Sequence, residues 1–344
     1  MYAVAGGPDR YVAVGAVGLA AHPPPGMAWT STDGRTWHRA TDPWTDGRAT
    51  RVVADRIGYV AWGYGYTGSA TEVSGTAVWV SPDGVSWNRA PDSSGFGDVE
   101  IAGIVRLGDD LVAVASDLRV WTSRDGVAWQ PVSPLGSAPD ETSVLGVTPA
   151  DGAIVAWGYT RDGDAFPPVT LRSTDGQRWE VGGVEPGSDG FMREGISDVA
   201  AAGGLVVAVG HGLTGEAGSP PPPTAAWTSA DGIAWTPAVL RPADSSGGLG
   251  HVVWDGGGFV ALGFTGAASI AWWTADGRTW TMAHSVPDTA GDGEEEGCTG
   301  GPCPRTMVSD LALGPAGLVA AGETSASAGG PRAVVWIAPT NDGQ

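Results

Sequence analysis

Seven times along the chain the sequence returns to a run of the form apolar-Val-Ala-apolar-Gly, at residues 11–15, 59–63, 111–115, 154–158, 206–210, 259–263 and 318–322. Val and Ala hold their places in all seven copies; only the third closes on Ala115 in place of Gly. A segment ending in Trp follows most copies, at Trp29, Trp79, Trp121, Trp227 and Trp272, with Leu171 in the fourth. Then comes Ser-x-Asp-Gly-x-x-Trp, at residues 31–37, 81–87, 123–129, 173–179 and 229–235, and with Thr for Ser at 274–280. Its Asp residues, Asp33, Asp83, Asp125, Asp175, Asp231 and Asp276, stand 42 to 56 residues apart, about 49 on average, which divides the 344 residues into seven units.

Each unit reads as four short strands. The first is a variable run such as residues 52–54, the second is the Val-Ala run, the third carries the first Trp and the fourth the second Trp. Asp-Gly between the last two supplies the positive backbone angle of a tight hairpin. The Val-Ala run is apolar at consecutive positions, so both its faces are expected to be buried, as in a radial sheet held between two neighbours. No 3.6-residue period exists to support a helical solenoid. The expectation is an all-β, seven-bladed β-propeller of four-stranded antiparallel blades, one domain over 1–344 with repeats near 1–41, 42–91, 92–133, 134–183, 184–240, 241–285 and 286–344. The seventh unit shows three strands and no Trp-bearing return, so the last blade is expected to lack its outer strand in this chain.

Composition agrees with a folded, turn-rich chain: 56 Gly and 26 Pro are offset by 42% hydrophobic residues and 17 Trp, too much apolar surface to leave in water. The 18 basic residues, all Arg, face 38 acidic ones, a net charge of −20 that repels nucleic acid and anionic lipid. No apolar run approaches a membrane span. Residues 11–21 could pass for the core of a signal peptide, but no basic cluster precedes them and the run recurs downstream, so they read as a strand and no signal peptide is read within this chain.

The Ser-x-Asp-Gly-x-x-Trp turns resemble the Asp-box, or bacterial neuraminidase repeat, of sialidases, sortilin-type receptors and photosystem II assembly-factor propellers. They differ by lacking the residue that the common box carries between Asp and Gly. The resemblance implies that the six box carboxylates are structural, accepting local backbone N–H groups on the periphery, away from any ligand.

In propellers the connections from second to third strand and from fourth strand to the next blade open on one face around a central channel, opposite the Asp-Gly hairpins. Here those connections are long and variable, which is where function concentrates. Counting twelve residues back from the end of each Val-Ala run gives one equivalent position per blade: Ala3, Arg51, Gly103, Gly146, Asp198, His251 and Asp310. Asp, His and Asp thus fall on three successive blades, where the His is expected to have its charged form favoured. Ser-Asp at 197–198 and 309–310 also reads as a strand-start cap. The ligand-binding candidates are Arg51, Asp198, His251 and Asp310, with Gly or Ala elsewhere leaving open space and Trp44, Tyr64 and Tyr66 as aromatic platforms.

Two functions are weighed for these residues, with another propeller enzyme, such as a lyase or other glycosidase, left as a remainder. One is a non-catalytic binding or scaffold propeller, exported or on a cell envelope, recognising a protein or glycan through its loop face. The other, implied by the resemblance, is an exo-sialidase drawing on Arg51, Arg193, Arg241 and Arg305 with Tyr64 or Tyr66 and Glu72. Cys298 and Cys303 are separated by Thr-Gly-Gly-Pro and have no zinc-spaced partners; a local disulfide is expected, two free thiols being the alternative. The acidic residues 288–296 read as a solvated loop lacking the ligand order of a calcium site, so no cofactor is expected, calcium binding by these oxygen-rich residues being the alternative.

Overall fold

The structure is a computed structural model; it describes residues 1–16, 24–40, 44–67, 72–91, 95–132, 141–163, 166–183, 194–212, 224–242, 247–265, 268–285, 306–326 and 330–338. Among these residues there are seven sheets, antiparallel except for one edge strand, and no helix. The innermost strands are Ala3–Gly6, Gly47–Asp55, Ile101–Leu107, Thr142–Ala150, Glu194–Ala202, Gly248–Trp254 and Thr306–Gly314. They contact one another in chain order, and the first contacts the last, so the sheets form a closed ring of seven blades.

The Val-Ala run is the second strand of every blade, buried on both faces as its composition requires: in Tyr11–Ala16 the first five residues are all buried. The Ala of the run lies opposite the third-strand Trp in six blades, as in Ala13 with Trp29, Ala61 with Trp79 and Ala320 with Trp336, and opposite Leu171 in the fourth. A methyl group is what leaves room for indoles in the next layer. The core is therefore a circle of seams between blades. One seam packs Trp129 and Phe96 on Val60 and Val78 of the preceding blade; another packs Trp280 and Trp272 on Val207 and Ala226.

Six fourth strands follow the Asp-Gly turn as expected, and five of them are short; the sixth blade differs. Its return strand Thr279–Ser285 is longer, and Val239–Arg241, leaving blade 5, runs parallel along its outer edge to make a fifth strand. The seventh blade has three strands among the described residues, Thr306–Gly314, Gly317–Ala326 and Gly330–Ala338. Among the described residues no strand exchange closes the ring there. Side chains do it: the Tyr11 hydroxyl donates to the Gly317 carbonyl at 2.7 Å and accepts from Ala316 N–H at 2.9 Å. Asp310 accepts the Val4 N–H at 2.9 Å across the same seam.

Candidate functional site

Six inner strands carry a β-bulge at the same place. Pairing with the second strand skips Thr50, Ala102, Leu145, Ser197, Gly250 and Ser309 in blades 2 to 7. A bulge inserts one unpaired residue and re-aims the chain beyond it. The residues that follow are Arg51, Gly103, Gly146, Asp198, His251 and Asp310, and all six line one central cavity of about 470 Å³. Blade 1 has no bulge; Val4, Ala5 and Gly6 supply its part of the wall while Ala3 is fully buried.

The open space expected beside the small residues is filled. A Cβ on Gly146 would stand 2.1 Å from the Trp157 ring, and one on Gly103 would stand 3.0 Å from Val147. Glycine at 146 is thus required by Trp157, the residue opposite it in the second strand. Trp62 plays the same part beside Arg51 and donates its indole N–H to the Ile101 carbonyl at 3.0 Å. These two indoles form the apolar wall of the cavity. Their signal was the Trp directly before the closing Gly of the second and fourth Val-Ala runs, a position held by Val, Leu or Ala elsewhere.

Both carboxylates facing the channel are committed to backbone. Asp198 accepts Val199 N–H at 2.9 Å through one oxygen and Val252 N–H of the next blade at 2.9 Å through the other. Asp310 repeats the pattern with Leu311 and with Val4 of blade 1. Burial pushes the Asp198 carboxyl up to about 7 and raises that of Asp310. For His251 the expectation fails: burial outweighs the nearby Asp310 and lowers its pKa, so the neutral imidazole is favoured, its ring bonded to the Val308 backbone. No group of three or more His, Cys, Asp or Glu side chains among the described residues is arranged to hold a metal ion.

Arg51 is exposed, donates to the Thr50 carbonyl at 3.1 Å and forms no ion pair among the described residues. It lines the channel and also a second cavity of about 540 Å³ on the loop face, with Tyr64, Glu100 and Tyr159. Tyr64 is 36% exposed, and the Arg48 guanidinium sits 5.4 Å from its ring centre. Tyr66 and Trp44 do not offer platforms. Tyr66 is buried with its hydroxyl 3.5 Å from the Pro24 carbonyl. Trp44 bridges to Gly26, stacks on Trp79 at 5.0 Å and meets Trp87 edge-on at 5.4 Å, which makes it part of the seam between blades 1 and 2. Gly26 admits it: a Cβ there would stand 2.9 Å from the Trp44 ring.

Of the residues drawn together for sialoside chemistry, Arg241 lies on the outer edge strand of blade 6, away from the channel, because the chain leaving blade 5 follows the rim. Arg193, Arg305, Cys298, Cys303 and the acidic stretch 288–296 lie outside the described residues, as does the side chain of Glu72. The six box carboxylates sit on the opposite face, and each accepts two successive backbone N–H groups, for Asp125 those of Val127 and Ala128, both at 2.9 Å. Those bonds hold the pKa values of all six below the usual carboxylate range.

No family model matches the chain, and no curated protein matches it in sequence. Solved structures do match. YCF48 from Cyanidioschyzon merolae is 13% identical, with a TM-score of 0.53 over 94% of this chain and 91% of that one. An ulvan lyase of polysaccharide lyase family PL25, solved with -[GlcA(1-4)Rha3S]- bound, is 10% identical with a TM-score of 0.58, covering 98% and 91%. The β-propeller domain of the Trilobed protease from Pyrococcus furiosus, described as having an open velcro topology, is 10% identical with a TM-score of 0.56, covering 99% and 92%. At these identities the likeness concerns the fold. The chain is a β-propeller, and among its described residues no helix is long and apolar enough to cross a membrane.

Proposed function

We propose that the chain is a non-catalytic binding or scaffold propeller of the Asp-box type, exported or on a cell envelope, which recognises a protein or glycan with its loop face. The observation that carries this reading is the state of the channel carboxylates. Asp198 and Asp310 each use both oxygens on backbone N–H groups that tie neighbouring blades together. A general acid or nucleophile must be free to reach a substrate atom; these two hold the ring. What remains for a ligand is the exposed Arg51, the neutral His251 ring, the half-open Tyr64 and the apolar walls of Trp62 and Trp157. A cation beside aromatic and indole surface is a recognition site for a polar group carried on an apolar body.

Nothing in the described geometry favours the sialidase alternative, since Tyr66 is buried and Arg241 is on the rim. Screening the purified chain on a glycan array and a peptide library, followed by calorimetric titration of the best binder, tests the proposal. Saturable binding without turnover supports it. Hydrolysis of a fluorogenic sialoside, abolished by Arg51→Ala, would replace it with the enzymatic reading.

A further inference from the structure

Only four of the residues lining the channel cavity are ionisable: Arg51 on blade 2, Asp198 on blade 5, His251 on blade 6 and Asp310 on blade 7. Asp198 and Asp310 have both oxygens on backbone N–H groups, and burial in the channel wall favours their protonated forms. His251 is held against the Val308 backbone, and burial favours its neutral ring. Arg51 keeps its charge at any ordinary pH. With its three neighbours neutral the cavity carries one positive charge, inside a chain whose net charge is −20. That charge reaches the other three groups: it favours ionisation of Asp198 and Asp310 and opposes protonation of His251.

A guanidinium with no ion pair in such a place has a defined complement. Its planar fork matches the two oxygens of a carboxylate. The chain's overall charge opposes a polyanion, so the match is a single anionic group. Beside the fork the wall is apolar, with Trp62 and Trp157 and also Ile104 and Val147, so the carboxylate comes on an apolar body. An anion seated on Arg51 cancels its field at Asp198, His251 and Asp310. Each of the three then holds a proton more tightly than it does without the anion. Because the three responses share one sign, net proton uptake follows whichever group responds most.

On the reading that the channel mouth is the ligand site, we propose that it takes an organic carboxylate together with a proton. The carboxylate pairs with Arg51, its apolar body lies against the Trp62 and Trp157 wall, and the proton goes to the group formed by Asp198, His251 and Asp310. Affinity then falls as pH rises through about 7, where Asp198 ionises and turns the wall against an anion.

The probe is para-fluorobenzoate, which stays ionised from pH 6 to 8, titrated against the full chain and followed by fluorine NMR, with para-fluorobenzamide as its uncharged counterpart. The expected result is saturable binding of the carboxylate, at least about tenfold stronger than that of the amide. Between pH 6 and 8 the carboxylate's affinity should fall at least about fivefold while the amide's stays level. Arg51→Gln should abolish carboxylate binding. Arg56→Gln, in the turn between Gly47–Asp55 and Gly58–Thr67, should leave it unchanged. No saturable binding, equal binding of the amide, binding retained in Arg51→Gln, or a carboxylate affinity that holds level from pH 6 to 8 would overturn the proposal. The reading of the channel mouth fails separately: a ligand recovered by array screening that Arg51→Ala leaves unaffected refutes it whatever para-fluorobenzoate does. A neutral ligand weakened by Arg51→Ala upholds it even where para-fluorobenzoate fails to bind.

Discussion

Asp198 is the residue at which burial and hydrogen bonding oppose each other most directly. Its carboxyl accepts two backbone N–H groups yet titrates near 7, because the cost of burying charge is the larger effect. A folded pKa above the unfolded value means that the native state keeps a proton the unfolded chain has released. Stability from this group is therefore complete below about pH 4 and declines as pH rises to about 7, by roughly a few kcal/mol at most. The box carboxylates act with the opposite sign: their folded pKa values are lowered, so their contribution is lost as pH falls below about 4. Denaturant unfolding measured across pH 3 to 8 should peak on the mildly acidic side, and Asp198→Asn should flatten the limb between about pH 4 and 7. An unchanged limb in the variant would assign the slope to other groups. Asp125→Ala should cost about 1 to 3 kcal/mol at pH 7 through two unpaired N–H groups, with the difference shrinking in strong acid.

At the level of strands and seams, the fourth-strand indoles are not interchangeable. Trp280, Trp129 and Trp235 are buried, whereas Trp37, Trp87 and Trp179 are half-buried. Trp280→Ala should therefore destabilise by about 3 to 5 kcal/mol, and Trp87→Ala by clearly less. Equal losses at the two sites would mean that the seams pack alike. Gly146→Ala should cost about 1 to 3 kcal/mol by forcing Trp157 from its place, and pairing it with Trp157→Val should recover part of the loss.

The same elements mark what the sequence could reveal. The Val-Ala run and the Asp-Gly turn recur at fixed spacing, and their physical demands are local, so blade number, strand order and the equivalent heights of Arg51, Asp198, His251 and Asp310 were legible. Where a side chain goes was not, whenever it depended on a residue far along the chain. Trp44 enters the seam because Gly26 stands opposite, Gly146 is occupied by Trp157, and Arg241 follows the rim of a blade to which its own repeat does not belong. The direction of the His251 shift was hidden for a related reason: two nearby carboxylates are visible in sequence, burial is not.

Over the whole molecule, the chain's −20 charge surrounds a channel whose exposed cation is Arg51. The ring is closed by the Asp310 and Tyr11 contacts between first and last blades, so its integrity rests on residues other than Arg51, where recognition is proposed. The most direct test of that separation pairs binding with melting in two variants. For the glycan or peptide recovered by array screening, Arg51→Ala should weaken affinity at least about tenfold with the melting temperature nearly unchanged, while Asp83→Ala should lower the melting temperature and leave affinity intact. If Asp83→Ala abolishes binding in the folded state and Arg51→Ala does not, the ligand sits on the Asp-box face and the channel mouth is not the site.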